Sequence, residues 1–166
     1  MDDFQQGLVD LLPRLRRLAR MFAGAPADAD DLVQLCVERA LVRREQWRDG
    51  TRLDSWVFRI MKNAWIDETR SRRRSGRIFA GDEDGRHVAD PATPAMETRL
   101  AALEAETAVL ALPQDQRMAV ALVLIDGLSY REAAEVLEIP MGTLTSRLVR
   151  GRIALMASLG EGDAAI

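Results

Sequence analysis

A chain of 166 residues with 48% hydrophobic, 5% aromatic and 30% charged residues has room for one ordinary domain or two small ones. With no alternating β-branched runs, it reads as all-helical. The net charge of −3 excludes a protein that coats nucleic acid by overall charge, and leaves local basic faces as the features to examine. No run of about 18 apolar residues and no signal-peptide pattern occurs, so the expected setting is cytoplasmic, without membrane insertion of its own. Cys36 is the only cysteine and His87 the only histidine, which excludes an internal disulfide and the usual Cys/His zinc sets. No glycine-rich phosphate loop or nucleophile–base pair stands out. No cofactor, metal, small-molecule substrate or catalytic residue is therefore expected.

Leu11, Leu12, Leu15, Leu18 and Phe22 recur at helical spacing, with Arg14, Arg16, Arg17 and Arg20 around them. Gly24, Pro26 and Asp28 end that helix and begin another, for which Asp28 is the expected cap, with Asp30 and Asp31 in the first turn. Leu32, Val33, Cys36, Val37, Ala40 and Leu41 form its expected buried stripe, Cys36 as a small core residue. A loop over residues 46–51 turns at Asp49-Gly50. A long helix then runs from about Leu53 to Arg73, with Trp56, Val57, Ile60, Met61, Ala64 and Trp65 as apolar bulk.

Along the same helix Arg59, Lys62, Asn63, Ile66 and Arg70 share one face, which leads into Arg72, Arg73 and Arg74. Such a density of cations on an acidic protein points to a polyanion, although cations also favour a helix C-terminus. Residues 76–95 lose the periodicity and are rich in Gly, Pro and acid, the composition of a flexible linker. Met96, Leu100, Leu103, Thr107 and Leu110 resume a helical pattern that Leu112-Pro113 breaks. Residues 116–126 form the next helix, with Gly127 just past its end.

The stretch from Leu128 to Arg152 reads as two short helices around a tight break. Ser129 and Glu132 form a capping box, and Pro140 sits where a new helix opens. From there Met141, Leu144, Leu148 and Gly151 share an apolar face, with Thr143, Ser146, Val149 and Arg150 opposite and Thr145 and Arg147 at the flanks. A short helix with hydroxyls and arginines outward suits the major groove of DNA. An amphipathic hairpin packed inside a helical domain would show the same pattern. The expected organisation is two small helical domains, 1–75 and 96–160, joined by the linker 76–95 and followed by a tail, 161–166.

The block Asp28-Ala29-Asp30-Asp31-Leu32-Val33-Gln34, the segment Leu53 to Asn63 and the arginine run resemble region 2 of bacterial extracytoplasmic-function (ECF) sigma factors. Leu112 through Arg152, with Gly127-Leu128-Ser129-Tyr130, Gly142-Thr143 and Ser146-Arg147-Leu148, resembles their region 4. The resemblance implies a partner of core RNA polymerase that directs it to promoter DNA and is held in check by an anti-sigma factor. It implies a polymerase contact through Asp30, Asp31, Gln34, Glu38 and Arg39. It implies −10 contacts through Arg59, Lys62, Asn63, Arg70, Arg72, Arg73 and Arg74, and −35 contacts through Thr143, Thr145, Ser146, Arg147 and Arg150.

Glu138 stands where the family commonly has glycine, so the turn before the last helix is expected to avoid a left-handed conformation. Trp56 is expected in the core rather than as a melting wedge. Asp67 is expected to pair with Arg70 on its own helix. A sigma-like decoy is disfavoured by the intact basic run and the arginines of the last helix. An ordinary helix-turn-helix repressor is the other binding-protein reading, and co-purification with core polymerase separates it from the first.

Overall fold

The computed structural model describes residues 1–76 and 95–164; residues 77–94, which are all but the two end residues of the expected linker 76–95, and residues 165–166 lie outside the described residues. Among the described residues the chain is helical and without strands. The order is α1 (Asp3–Ala23), α2 (Pro26–Val42), a short 3-10 turn (Arg44–Gln46), α3 (Leu53–Arg74), α4 (Met96–Leu110), α5 (Gln114–Val120), α6 (Tyr130–Leu137) and α7 (Met141–Ala164).

A reciprocal cap opens α1: Asp2 accepts the Gln5 N–H at 2.9 Å, and the Gln5 side chain accepts the Asp2 N–H at 3.2 Å. The expected stripe is buried except for Leu12, which is half-buried, with Leu15 and Phe22 fully covered, and α1 packs along α2. In α2 the start differs from the expectation. Pro26 occupies the first turn, where its missing N–H costs nothing, and the cap residue is Ala25. Asp28 is thereby inside the helix, and its carboxylate is held by Arg72 at 2.8 and 3.0 Å. Leu32, Val33, Cys36 and Ala40 are buried as expected, but Leu41 is 44% exposed and Val42 85%. The stripe thus ends at Ala40, and the two residues after it turn away from the core.

Cys36 sits in the core, and burial pushes its thiol pKa up to about 12. Alkylation by iodoacetamide at neutral pH should therefore be undetectable in the folded chain and rapid in denaturant; labelling of the native protein, read by mass, would contradict this burial.

Helix α3 runs the expected length and presents Val57, Phe58, Met61, Ala64 and Trp65 to α1 and α2. Trp56 is half-buried, edge-on to Phe4 with ring centroids 6.1 Å apart, a core role as expected. In the C-terminal half α5 does not continue as α-helix to Asp126. Residues Ala121–Ile125 form a π turn, with the Asp126 N–H bonded back to Ala121. Gly127 at φ 86° ends it, a conformation that a side chain would strain. Leu103 and Leu100 of α4, part of the helical pattern read in the sequence, are half exposed, and Met96 is 70% exposed, whereas Ala108 and Val109 are buried. Helix α4 thus presents to solvent the face that the periodicity marks as apolar.

The two halves pack against each other, α1 on α4 and α5 and α3 on α6, with the buried residues forming one continuous cluster. Ion pairs frame this contact: Arg14–Asp126 at 2.7 Å, Arg20–Glu106 at 2.9 Å, Lys62–Glu138 at 3.1 Å and Arg52–Glu132. In all four the cation lies in the N-terminal half and the carboxylate in the C-terminal half. Arg117 points the other way, donating to the Phe22 carbonyl at the end of α1 and to the Leu110 carbonyl, both at 3.1 Å. Burial holds its guanidinium below the usual arginine range.

Candidate nucleic-acid interface

The hairpin of α6 and α7 is built by local chemistry. Ser129 accepts the Glu132 N–H at 3.1 Å, one arm of the expected capping box. The other arm is missing because the Glu132 carboxylate is taken by Arg52. Glu138, contrary to expectation, is left-handed, at φ 57° and ψ 45°. Its N–H bonds the Glu135 carbonyl at 3.2 Å, and the Ile139 N–H bonds the Ala134 carbonyl at 3.1 Å. That pair of bonds is a Schellman closure, which needs a left-handed residue whatever its side chain. A non-glycine residue pays on the order of 1 kcal/mol for it. Here Glu138 gains a partner: its carboxylate accepts from Lys62 at 3.1 Å and from Asn63 at 3.5 Å. The Lys62 hydrogen bond holds its carboxyl below the usual range against a weaker opposing effect of burial.

The Pro140 carbonyl accepts the Leu144 N–H at 3.1 Å and opens α7. Leu144 and Leu148 are fully buried beneath it. Gly151 lets α5 come close, since a Cβ there would lie 2.8 Å from a Val120 methyl. With those three inward, Thr145, Ser146, Val149 and Arg150 are exposed, and Thr143 and Arg147 are half-buried at the edges. Met141, expected with the inward face, is 47% exposed at the helix start. The Thr145 hydroxyl donates to the Met141 carbonyl at 2.9 Å, so it is engaged by its own helix. Arg147 leans toward Asp115, 3.7 Å away. Thr143, Ser146 and Arg150 therefore share one side of α7, with Thr145 and Arg147 on opposite flanks.

On α3 the seven residues assigned to the −10 element fall into three groups. Arg59, Arg70, Arg73 and Arg74 are exposed, the last three lining a shallow depression with Asp67. Lys62 is buried and Asn63 half-buried, both under Glu138. Arg72 is turned inward: it bonds Asp28 and Glu68 and lies 5.5 Å over the Trp65 ring. Those carboxylates, Asp28 foremost, raise its pKa, so it clamps the end of α3 onto α2. Asp67 pairs with Arg39 of α2 at 3.8 Å rather than with Arg70, because the two helices run side by side.

On α2, Asp30, Asp31, Gln34 and Glu38 are exposed along one side, with Arg39 half-buried beside them. Sequence reasoning missed the group Arg14, Asp54 and Asp126 between the halves. Arg14 lies 2.7 Å from Asp126 and 3.1 Å from Asp54, with its guanidinium 5.0 Å over the Phe58 ring. Burial pushes the Asp54 carboxyl up, but bonds from Arg52, the Ser55 N–H and Arg14 outweigh it and keep it low. No local period announces such a group, because its members are brought together only by tertiary packing.

Residues 8–75 match the family model of Sigma-70 region 2, and residues 102–155 match that of Sigma-70, region 4. The chain is 35% identical to the ECF RNA polymerase sigma factor EcfG of Rhodopseudomonas palustris, over 95% of this chain and 86% of that one. It is 36% identical to the ECF RNA polymerase sigma factor SigM of Mycobacterium tuberculosis, over 89% of this chain and 72% of the other. Among solved structures it superposes on the sigma factor RpoE of Bartonella quintana, crystallised with the anti-sigma factor NepR, with a TM-score of 0.80 and 31% identity. That match covers 96% of this chain and 98% of RpoE. It also superposes on CnrH, solved with the cytosolic domain of CnrY, with a TM-score of 0.68 and 25% identity over 95% and 88% of the two chains.

Proposed function

Because this chain belongs to the extracytoplasmic-function branch of the sigma-70 family, we propose that its two halves read the two elements of a promoter, α3 the −10 element and α7 the −35 element. As an ECF sigma factor it binds core RNA polymerase and directs promoter-specific initiation. The observation that carries the division of labour is the first part of α7: Leu144, Leu148 and Gly151 face the core, and Ser146 and Arg150 are left on the outer side, with Val149 exposed beside them. The exposed cations of α3, at the end of the N-terminal half, suit a strand of negative phosphates. The acidic side of α2 is the proposed polymerase contact. The chain acts in the cytoplasm, without catalysis of its own; among the described residues no helix is long and apolar enough to cross a membrane. An anti-sigma protein is the proposed inhibitor, since the Bartonella relative was crystallised with one and the exposed Met96, Leu100, Ile153 and Met156 offer apolar surface to such a partner.

Co-purification with core polymerase followed by run-off transcription tests the reading. A discrete transcript that requires both the chain and its promoter is the expected result. Asp31→Lys with Glu38→Lys, both exposed, should weaken core binding roughly tenfold at low salt while leaving helicity unchanged. Core binding without promoter-dependent transcripts would overturn the proposal, and unchanged affinity of the double variant would remove α2 from it.

A further inference from the structure

Lys62 is the only lysine among the 23 Lys and Arg residues of the chain. It is also the most deeply covered of the cations on the proposed −10 face, with 6% of its side chain exposed. What covers it is the turn before α7: Glu138 holds the Lys62 ammonium and the Asn63 amide on the same carboxylate oxygen. An anionic oxygen gripped by an ammonium and an amide is the arrangement a phosphate would make on this face. Glu138 does this from a left-handed backbone, the sole non-glycine residue at positive φ among the described residues. One helix turn and more away, Glu132 at the other end of α6 pairs with Arg52, just ahead of α3. Helix α6 therefore lies on α3 with a carboxylate at each end, each on a cation of the N-terminal half. A compact, three-donor ammonium suits so enclosed a site better than the broad guanidinium used everywhere else.

We propose that this contact is an autoinhibitory latch: in the free chain the Glu138 carboxylate stands in for nucleic acid on Lys62 and Asn63, and docking on polymerase must pull α6 off α3 before that part of the −10 face can bind DNA. The proposal rests on the assignment of α3 to the −10 element. It accounts for a side chain that the local backbone does not favour, at a place where glycine would close the same turn without strain. It also ties promoter reading to polymerase binding, because a chain that is closed when free withholds Lys62 and Asn63 from DNA.

The single lysine makes the latch directly measurable. Acetylation of Lys62 by an N-hydroxysuccinimide ester, followed by peptide mass analysis, reports its exposure in the intact chain. In the free wild-type chain modification should be slow. Glu138→Gly, which removes the carboxylate and suits the left-handed turn, should speed it at least tenfold with an unchanged helical spectrum, and Glu138→Gln should do so in part. Reconstituted holoenzyme without DNA should show the same gain over the free chain. Equal rates in the free wild type and in Glu138→Gly would overturn the latch, as would a holoenzyme rate no higher than that of the free wild type. The −10 assignment is tested separately by Lys62→Ala in run-off transcription. If that variant initiates normally while the acetylation rates differ as expected, the latch holds and the role of Lys62 in DNA reading falls.

Discussion

Phe58→Ala should lower the unfolding free energy by about 3–5 kcal/mol, enough to leave the chain partly unfolded at ordinary temperature. Phe58 is fully buried on α3, and the hole left by its ring would open between α3 and its neighbours. Part of the loss is specific to this site. The Arg14 guanidinium sits over the ring while bonding Asp126 of the other half, so removing the ring loosens a cation that two carboxylates depend on. Phe58→Leu keeps most of the volume and should cost less, roughly 1–1.5 kcal/mol. Chemical denaturation of both variants measures the difference. If Phe58→Ala loses less than about 1 kcal/mol, the ring is not packed as described. Transcription should fall with stability, because α3 is both the centre of the N-terminal core and the platform for its outward cations.

Much of this arrangement was legible in the sequence, for reasons that are local. Leu144, Leu148 and Gly151 recur at helical spacing, and that period alone orients α7 and puts Ser146 and Arg150 outward. The long pattern from Leu53 to the arginine run likewise defines α3. What escaped is decided by neighbours. Arg72 looks like its three companions in sequence, yet Asp28 and Glu68 turn it inward, while Arg73 and Arg74 stay in solvent. Glu138 was expected to avoid the left-handed region on propensity. The Schellman bonds require that conformation, and Lys62, 76 residues earlier, gives the carboxylate a partner. Leu100 and Leu103 obey the helical period and are exposed nonetheless, because a period states which face is apolar and not what covers it. Arg14 with Asp126 spans the chain from α1 to the end of the π turn, beyond the reach of any window of sequence.

Arg150 and Arg147 should respond differently to alanine, although they are neighbours on α7. Arg150 is exposed on the outer arc, one turn beyond Ser146, where a side chain reaches the floor of a major groove. Its loss should cost about 1–3 kcal/mol of discrimination at one base pair of the −35 element, a tenfold to hundredfold effect on the preferred sequence and little on a variant lacking that pair. Arg147 is half-buried at the flank and drawn toward Asp115 of α5, an orientation along the helix side rather than away from it. From there it is expected to meet the sugar–phosphate edge rather than a base. Arg147→Ala should weaken every promoter alike and reduce the salt slope of binding by about one. Holoenzyme carrying each variant, assayed on a panel of single −35 substitutions at two salt concentrations, separates the two roles. Should Arg150→Ala lose activity equally on all members of the panel, Arg150 positions the helix without reading a base, and specificity must come from Thr143, Ser146 and the shape of the groove.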